Sequence, residues 1–125
     1  MDYSGKQIIV TGGASGIGRA TVLAFCEAGG SVFFGDLNAD GAAETIELAK
    51  DLKGDATFHA LDVTDESKID AFAAAFHETH KQADIVVNVA GWDISMPFMD
   101  NDSDFIRKVV AINYLGPVYL TRAFL

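Results

Sequence analysis

The sequence has too few cysteines for a disulfide-bonded protein and no histidine pattern typical of a metal site. Cys26 is the only cysteine, so the chain cannot form an internal disulfide. His59, His77 and His80 have no Asp or Cys neighbours at ligand spacing, and we expect no metal site. A single unpaired cysteine is typical of a reducing compartment, which makes a cytoplasmic protein the expectation.

Basic clusters and long apolar runs are also missing. The 9 basic residues do not balance the 18 acidic ones, and the formal net charge is -9. We therefore expect neither a nucleic-acid partner nor binding to an anionic membrane. The polar N-terminus, MDYSGKQ, lacks the apolar stretch of a signal peptide, and no apolar run approaches the ~20 residues that span a bilayer.

Four short apolar runs alternate with segments of helical spacing along the 125 residues, which fit a single domain. The runs are nearly continuously apolar instead of alternating, as in strands that are covered on both faces. They extend from Gln7 to Thr11, Ser31 to Asp36, Ala56 to Asp62 and Asp84 to Ala90. Strand-helix alternation of this kind predicts a parallel sheet with right-handed crossovers.

Two of the predicted helices have features that bear on function. Thr64 is a plausible N-cap of the third helix, with acidic residues in the first turn. A long helix follows from about Ser103 to the end, and its apolar residues cover more than one face. Such a helix is buried on several sides, so we expect it to need more cover than this sheet provides.

A glycine-rich segment, TGGASGIG, extends from Thr11 to Gly18 at the junction of the first strand and the first helix. A diphosphate can bind the free N–H groups at a helix N-terminus if the backbone comes close. Gly12 would permit the tight turn, Gly16 would leave the approach open, and Gly18 would let helix and strand pack closely. The alternative is an ordinary glycine-rich turn between a strand and a helix.

The spacing Gly-x-x-x-Gly-x-Gly, with Thr11 before it and Ile17 between the last two glycines, resembles the short-chain dehydrogenase/reductase family. The resemblance implies a three-layer α/β fold with a doubly wound, Rossmann-type parallel sheet, here partial, in the strand order 3-2-1-4. It covers the whole chain but only about half of the family's domain. Residues 1–125 are thus expected to form a nucleotide-binding domain truncated after the helix that carries Asn113.

The expected cofactor is NAD. Asp36 ends the second strand 18 residues after Gly18, and a carboxylate there accepts hydrogen bonds from ribose hydroxyls and repels a 2′-phosphate. NADP-dependent members of the resembling family commonly have a basic residue at the positions of Ser15 or Leu37, and both residues are neutral here. Alternatively, Asp36 is a loop or capping residue.

The resemblance extends the expected cofactor site along two further strand ends. Asp62 and Val63 match the pair that lies beside the adenine in relatives, although Asp62 could simply precede the helix cap. The segment Asn88-Val89-Ala90-Gly91 replaces the family's Asn-Asn-Ala-Gly, so that one polar support is lost at Val89. Asn88, Ala90 and Gly91 are retained, and the last two are small enough for a ribose to lie against the backbone.

Asn113 matches the Asn of the family's Asn-Ser-Tyr-Lys catalytic tetrad, whose backbone carbonyl holds a proton-relay water in relatives. We predict that this carbonyl is freed because Pro117, four residues later, has no N–H to donate. Alternatively, Asn113 is a polar residue at a kink or a subunit contact. No Tyr-x-x-x-Lys occurs in the chain, and neither Ser95 nor Ser103 lies on a predicted strand.

The implied function is NAD-dependent oxidation of a secondary alcohol, or the reverse reduction of a ketone, in a homo-oligomeric full-length form. The run Gly-Trp-Asp-Ile from Gly91 is similar to that of dehydrogenases acting on hydroxyacyl-CoA or cyclic hydroxy-acid substrates. Loop packing would explain Trp92 equally well. The alternative function is that of a non-catalytic dinucleotide-binding fragment.

Overall fold

The computed structural model describes all residues from Met1 to Leu125. Its four strands are β1 (Gln7–Thr11), β2 (Ser31–Asp36), β3 (Asp55–Ala60) and β4 (Ile85–Asn88). They form one parallel sheet in the order β3-β2-β1-β4, which confirms the predicted topology. The helices are α1 (Gly16–Glu27), α2 (Ala39–Ala49), α3 (Glu66–His77), α4 (Ser103–Val110) and α5 (Gly116–Phe124). None of them is both long and apolar enough to cross a membrane.

Helices cover both faces of the sheet, and alternate strand residues point into the two layers. Ile8 and Phe34 pack in one core with residues of α1 and α2. Ile9 and Phe33 pack in a second core with residues of α3 and with Leu120 of α5. Because both faces are buried, the interior positions of the central strands, IIV in β1 and VFF in β2, are all apolar, and the sequence shows no alternation there.

Two strands end earlier than their apolar runs predict. β3 ends at Ala60 instead of Asp62, because the chain turns at Asp62, whose carbonyl accepts from the N–H of Asp65. β4 ends at Asn88 instead of Ala90. Beyond Asn88 the backbone N–H groups donate to a side chain of β1 and no longer to a neighbouring strand. The residues after both strands are thereby released into loops at the carboxyl edge of the sheet.

The N-cap of α3 is Asp65, so the prediction of Thr64 was wrong by one residue. Asp65 Oδ1 accepts hydrogen bonds from the N–H groups of Ser67 at 2.9 Å and Lys68 at 3.4 Å. Thr64 donates its N–H and its hydroxyl to Asp62 Oδ1 at 2.9 and 2.6 Å. Both residues can cap a helix in principle, and the turn at Asp62 decides between them.

The single long helix that the sequence predicts is instead two α-helices joined by a π-helical segment, Ala111–Leu115. The N–H of Gly116 donates to the carbonyl of Ala111, five residues earlier. Pro117 follows at once and cannot donate, which explains why the regular ladder breaks at this point. Outward from the sheet, four apolar side chains spaced four residues apart are between 43% and 65% exposed: Ile106, Val110, Tyr114 and Val118.

Removing the cap of α3 should destabilise the fold in a pH-dependent way. Hydrogen bonds from Ser67, chiefly from its hydroxyl, lower the pKa of Asp65 below its ordinary value of 3.8. A lowered pKa in the folded state means that the contribution is present above pH 4 and is lost as the pH falls through the folded-state pKa.

We therefore expect Asp65→Ala to lower the urea midpoint at pH 7, and the difference from the wild type to shrink at pH 3. Thr64→Ala, one residue away, is the matched control and should have the smaller effect at pH 7. Equal midpoints for Asp65→Ala and the wild type at pH 7 would contradict the assignment of the cap.

Candidate functional site

A cleft of about 690 Å³ lies at the carboxyl edge of the sheet. It is lined by the loops that follow all four strands and by one face of α4 and the π-helical segment. Of the predicted site residues, the following line it: Gly12, Ser15, Gly16, Ile17, Gly18, Asp36, Leu37, Asp62, Val63, Ala90 and Gly91. Asn88 and Asn113 are the two that do not.

The glycine-rich turn between β1 and α1 forms the floor of this cleft. Gly12 and Gly16 have positive φ angles of 75° and 53°, which favour glycine. At Gly18 the backbone approach is closest, because a Cβ built there would lie 1.8 Å from the carbonyl oxygen of Gly12. Ser15 is the N-cap of α1 but makes no side-chain cap bond, so no side chain satisfies the N–H groups of the first turn.

Arg19 and Thr45 hold the turn from behind, and sequence reasoning did not identify either of them. The Arg19 guanidinium donates through Nη2 to the carbonyls of Ala14 at 2.7 Å and Gly41 at 3.0 Å, and through Nε to Thr45 Oγ1 at 3.0 Å. Thr45 is fully buried, and its hydroxyl donates to the carbonyl of Gly13 at 2.9 Å. Arg19 also forms an ion pair with Glu44 on α2. This network fixes the turn against α2.

Asp36 joins the first two loops of the cleft. Its Oδ2 accepts from the N–H of Ala14 and its Oδ1 from the N–H of Asn38, each at 3.0 Å. The loop role that the sequence left open is therefore real, and the carboxylate also lines the cleft. Each carboxylate oxygen has a second acceptor site, so these two bonds leave capacity for a ligand.

Thr11 joins the turn after β1 to the loop after β4. Its buried hydroxyl oxygen accepts from the N–H groups of Val89 and Ala90, both at 3.0 Å. The junction is tight, because a Cβ on Gly12 would lie 3.0 Å from the Ala90 nitrogen. The side chain of Asn88 turns away from the cleft and donates to Thr121 Oγ1 of α5 at 3.0 Å. Its side chain thus contacts α5 and is not part of the cleft wall.

Asn113 acts through the loop after β4. Its side-chain Oδ1 accepts from the N–H of Trp92 at 3.0 Å, and its Nδ2 donates to the Trp92 carbonyl at 2.6 Å and to the Val109 carbonyl at 3.1 Å. Asn113 lies within the π-helical segment, and the residue that would donate to its carbonyl in a regular helix is Pro117. The structure shows the side-chain contacts of Asn113, whereas the proton-relay role of its carbonyl stays a prediction.

Trp92 and Lys108 form the wall of the cleft beyond Gly91. Lys108 Nζ lies 3.8 Å from the centroid of the Trp92 ring, within the range of a cation–π contact. The same ring packs against Phe105 with a centroid distance of 5.4 Å. Lys108 is the only basic residue that lines the cleft, and it went unnoticed in the sequence because a single lysine on an exposed helix face carries no signal.

The one cysteine of the chain is poorly suited to nucleophilic chemistry. Cys26 lies in the core, and its burial, followed by the nearby Asp55 charge, raises the pKa of the thiol to about 11. The thiolate, which is the nucleophilic form, is therefore scarce at neutral pH. No three or more His, Cys, Asp or Glu side chains are grouped so that they could hold a metal ion.

The parallel sheet, the glycine turn at a helix N-terminus and the cleft beside β1 and β4 define an α/β protein whose cleft lies at the topological switch point, where such sheets usually bind their ligands. The family model described as short chain dehydrogenase matches residues 6–125, and the chain belongs to this family. Family members are oxidoreductases that typically bind a nicotinamide dinucleotide.

Individual relatives support the assignment of the chain to this family. The chain is 36% identical over 123 residues to the "Probable oxidoreductase EphD" of Mycobacterium tuberculosis, covering 98% of this chain and 21% of that protein. It is 33% identical over 122 residues to the 7alpha-hydroxysteroid dehydrogenase of Escherichia coli K12, covering 98% of this chain and 48% of that one. The chain thus spans between a fifth and half of the length of these relatives.

Among solved structures, the chain is similar to a hydroxysteroid dehydrogenase from Escherichia coli, with a TM-score of 0.92 and 31% identity. The similarity covers 98% of this chain and 52% of that one.

Thr45 should prove essential to the rigidity of the glycine turn. Thr45→Val keeps the shape of the side chain but removes the hydroxyl, which leaves the Gly13 carbonyl and Arg19 Nε without their partner. We expect a loss of about 1–3 kcal/mol in the free energy of unfolding, measured by urea denaturation.

Thr21→Val is the control, since the Thr21 hydroxyl bonds only to the Ile17 carbonyl of its own helix. A Thr45→Val variant as stable as Thr21→Val would show that the network does not support the turn.

Proposed function

We propose that this chain binds NAD(H) in the cleft and provides the cofactor-binding part of an enzyme that interconverts secondary alcohols and ketones. The observation that carries the proposal is the pairing, in one cleft, of the uncapped N-terminus of α1 with the Asp36 carboxylate at the end of β2. The first attracts a diphosphate and the second accepts from ribose hydroxyls, and a dinucleotide offers both.

The fit to such a cofactor can be followed residue by residue. A diphosphate would lie over Gly16, where nothing approaches within 4 Å of the position a Cβ would take. The adenosine would lie between the loops of Asp36 and Asp62. Both hydrogen bonds that Asp62 accepts within the protein go to Oδ1, which leaves Oδ2 for a ligand amine.

Exposed apolar side chains flank the same region. Ile17 and Leu37 are each 77% exposed, and both line the cleft. Burying them against the faces of a bound nucleotide would recover apolar area that the free protein leaves in water. Val63 adds a third apolar side chain to the wall on the β3 side.

The preference for NAD over NADP rests on charge. A 2′-phosphate would lie against the Asp36 carboxylate, and neither Ser15 nor Leu37 offers a cation to offset the repulsion. Arg19 of α1 is the basic residue nearest to the turn. It donates to the Ala14 and Gly41 carbonyls and pairs with Glu44. It is held behind the turn and does not line the cleft.

The chain's own residues prepare the cleft for the reaction. NAD, when bound, is the hydride acceptor for an alcohol. Ala90 and Gly91 present backbone without bulk on the β4 side, and Asn113 fixes the next residue, Trp92, by both backbone groups. In this proposal the Asn113 carbonyl, opposite Pro117, holds the relay water, while the Ser and Tyr-x-x-x-Lys of the tetrad are not among these residues.

A secondary alcohol on a ring or an acyl chain is the substrate that we expect. The relative named 7alpha-hydroxysteroid dehydrogenase and the run Gly-Trp-Asp-Ile from Gly91 both favour such a substrate. We further propose that the working form is a cytoplasmic homo-oligomer. A non-catalytic dinucleotide-binding protein is the second candidate, because the N-terminus of α1 and the Asp36 carboxylate would bind a dinucleotide whether or not a reaction follows.

Replacing Asp36 should change the cofactor preference. Asp36→Ala removes a charged acceptor, and we expect NAD to bind roughly 10–150-fold more weakly, the equivalent of about 1.5–3 kcal/mol. NADP binding should weaken less or improve, since the repulsion is removed. Calorimetric titration with both cofactors gives the ratio of the two dissociation constants.

That ratio is the decisive quantity, because loosening of the Ala14 and Asn38 loops affects both cofactors alike. Asp40 is an exposed residue on α2 outside the cleft. Asp40→Ala removes the same charge as Asp36→Ala and should leave the ratio of the two dissociation constants unchanged. A wild-type chain that binds neither cofactor would refute the proposed function. Turnover of an alcohol with NAD would separate the enzyme from the non-catalytic alternative.

A further inference from the structure

Lys108 is a cation without an acidic partner in a strongly acidic protein. The chain's ion pairs are made by Lys6, Arg19, Lys50, Lys53 and Arg107. Lys108 makes none, although it follows Arg107, which pairs with Asp104 on the same helix. The face of an aromatic ring holds an ammonium group in position but takes none of its three N–H donors. Lys108 therefore has donors to spare, and they lie at a cleft.

The Trp92 ring under this ammonium group is itself fixed. Asn113 bonds both the N–H and the carbonyl of Trp92, and Phe105 packs against the ring. A flexible lysine over a mobile ring would be an unremarkable surface contact. Here Asn113 of the π-helical segment holds the Trp92 backbone and Phe105 of α4 packs against the ring, so the position of the cation is defined relative to the cleft.

The pair lies on the flank of the cleft away from Asp36. The strand order places β4 on one side of β1 and β2 on the other, and Trp92 follows β4 while Asp36 ends β2. With adenosine at Asp36 and the diphosphate over the glycine turn, the β4 flank is left for the other half of the cofactor and for the substrate. A second oxyanion at this flank would come from the substrate or from the cofactor, and the cofactor's diphosphate is already assigned to the glycine turn.

We propose that Lys108, positioned on Trp92, is the specificity-determining anion-binding residue of the cleft, and that the substrate is a hydroxy or keto acid whose carboxylate it binds. This inference rests on the proposed function, which places the cofactor. Beyond that function, the inference identifies the charged group of the substrate, a carboxylate, and the residue that binds it, Lys108. An oxyanion of the cofactor is the other possible source of the same chemistry, and the experiment separates the two.

Trp92 is the only tryptophan in the chain, so intrinsic fluorescence reports on this wall alone. The chain, saturated with NAD, is titrated with 4-hydroxycyclohexanecarboxylate and, separately, with its methyl ester, which has the same ring and hydroxyl but no charge. We expect the carboxylate to bind about tenfold more tightly than the ester, as one charge-assisted hydrogen bond would give.

Three variants test the assignment. Lys108→Met should abolish the preference for the carboxylate and leave the ester affinity within about twofold, while Lys108→Arg should retain the preference. Arg107→Met removes the same charge from the neighbouring position, outside the cleft, and should behave as the wild type. NAD titrations of the same proteins should agree within about twofold.

The proposal is overturned if the wild type shows no preference for the carboxylate, or if Lys108→Met keeps the preference. It is also overturned if Lys108→Met weakens NAD binding by as much as carboxylate binding, because the cofactor would then be the source of the anion. A wild-type chain that prefers the carboxylate but does not bind NAD would refute the proposed function and leave Lys108 as an anion site.

Discussion

The close approach of the backbone at the glycine turn is the constraint on which the cleft depends. Gly18 packs so near the Gly12 carbonyl that no side chain fits between them, and this contact lets α1 start directly below the end of β1. The first turn of α1 consequently lines the cleft, with no side chain capping its N–H groups. Thr11, Asp36, Arg19 and Thr45 then fix the turn from the sides and from behind. The site is thus made chiefly of backbone, and the side chains serve to hold that backbone in place.

This dependence explains which features could be predicted from the sequence. The parallel sheet and its two-sided core followed from apolar runs such as IIV in β1 and VFF in β2, because strands buried on both faces are apolar on both faces. The strand order followed from the resemblance to the family. The glycines with positive φ could also be predicted, since few other residues tolerate that conformation. The strand ends were less predictable. Val89 and Ala90 are as apolar as the strand before them, yet their N–H groups bond to the Thr11 hydroxyl. Only the three-dimensional arrangement shows that the Thr11 hydroxyl, and not a neighbouring strand, accepts from these N–H groups.

The supporting residues were the hardest to predict from the sequence. Arg19, Thr45 and Lys108 act across elements that are distant in sequence, and their residue types are common on helices. The side chain of Asn113 likewise contacts a loop some twenty residues earlier. Local spacing contains no information on such pairs, whereas the backbone geometry of a turn is encoded in a few adjacent positions. The fold and the glycine turn of this chain could therefore be predicted from its sequence, whereas the side-chain contacts between distant elements could not.

The π-helical segment between α4 and α5 has a consequence for how this part of the chain can change. A π-turn accommodates one residue more than an α-turn, and each residue added to or removed from a helix rotates everything beyond it by about 100°. Because the π-turn absorbs its extra residue locally, α5 keeps the orientation that places Leu120 in the core and Gly116 against Val63. Deleting one residue between Ala111 and Leu115 would give a regular helix and leave α5 in place, whereas an insertion or a deletion elsewhere in α4 or α5 would rotate Leu120 out of the core.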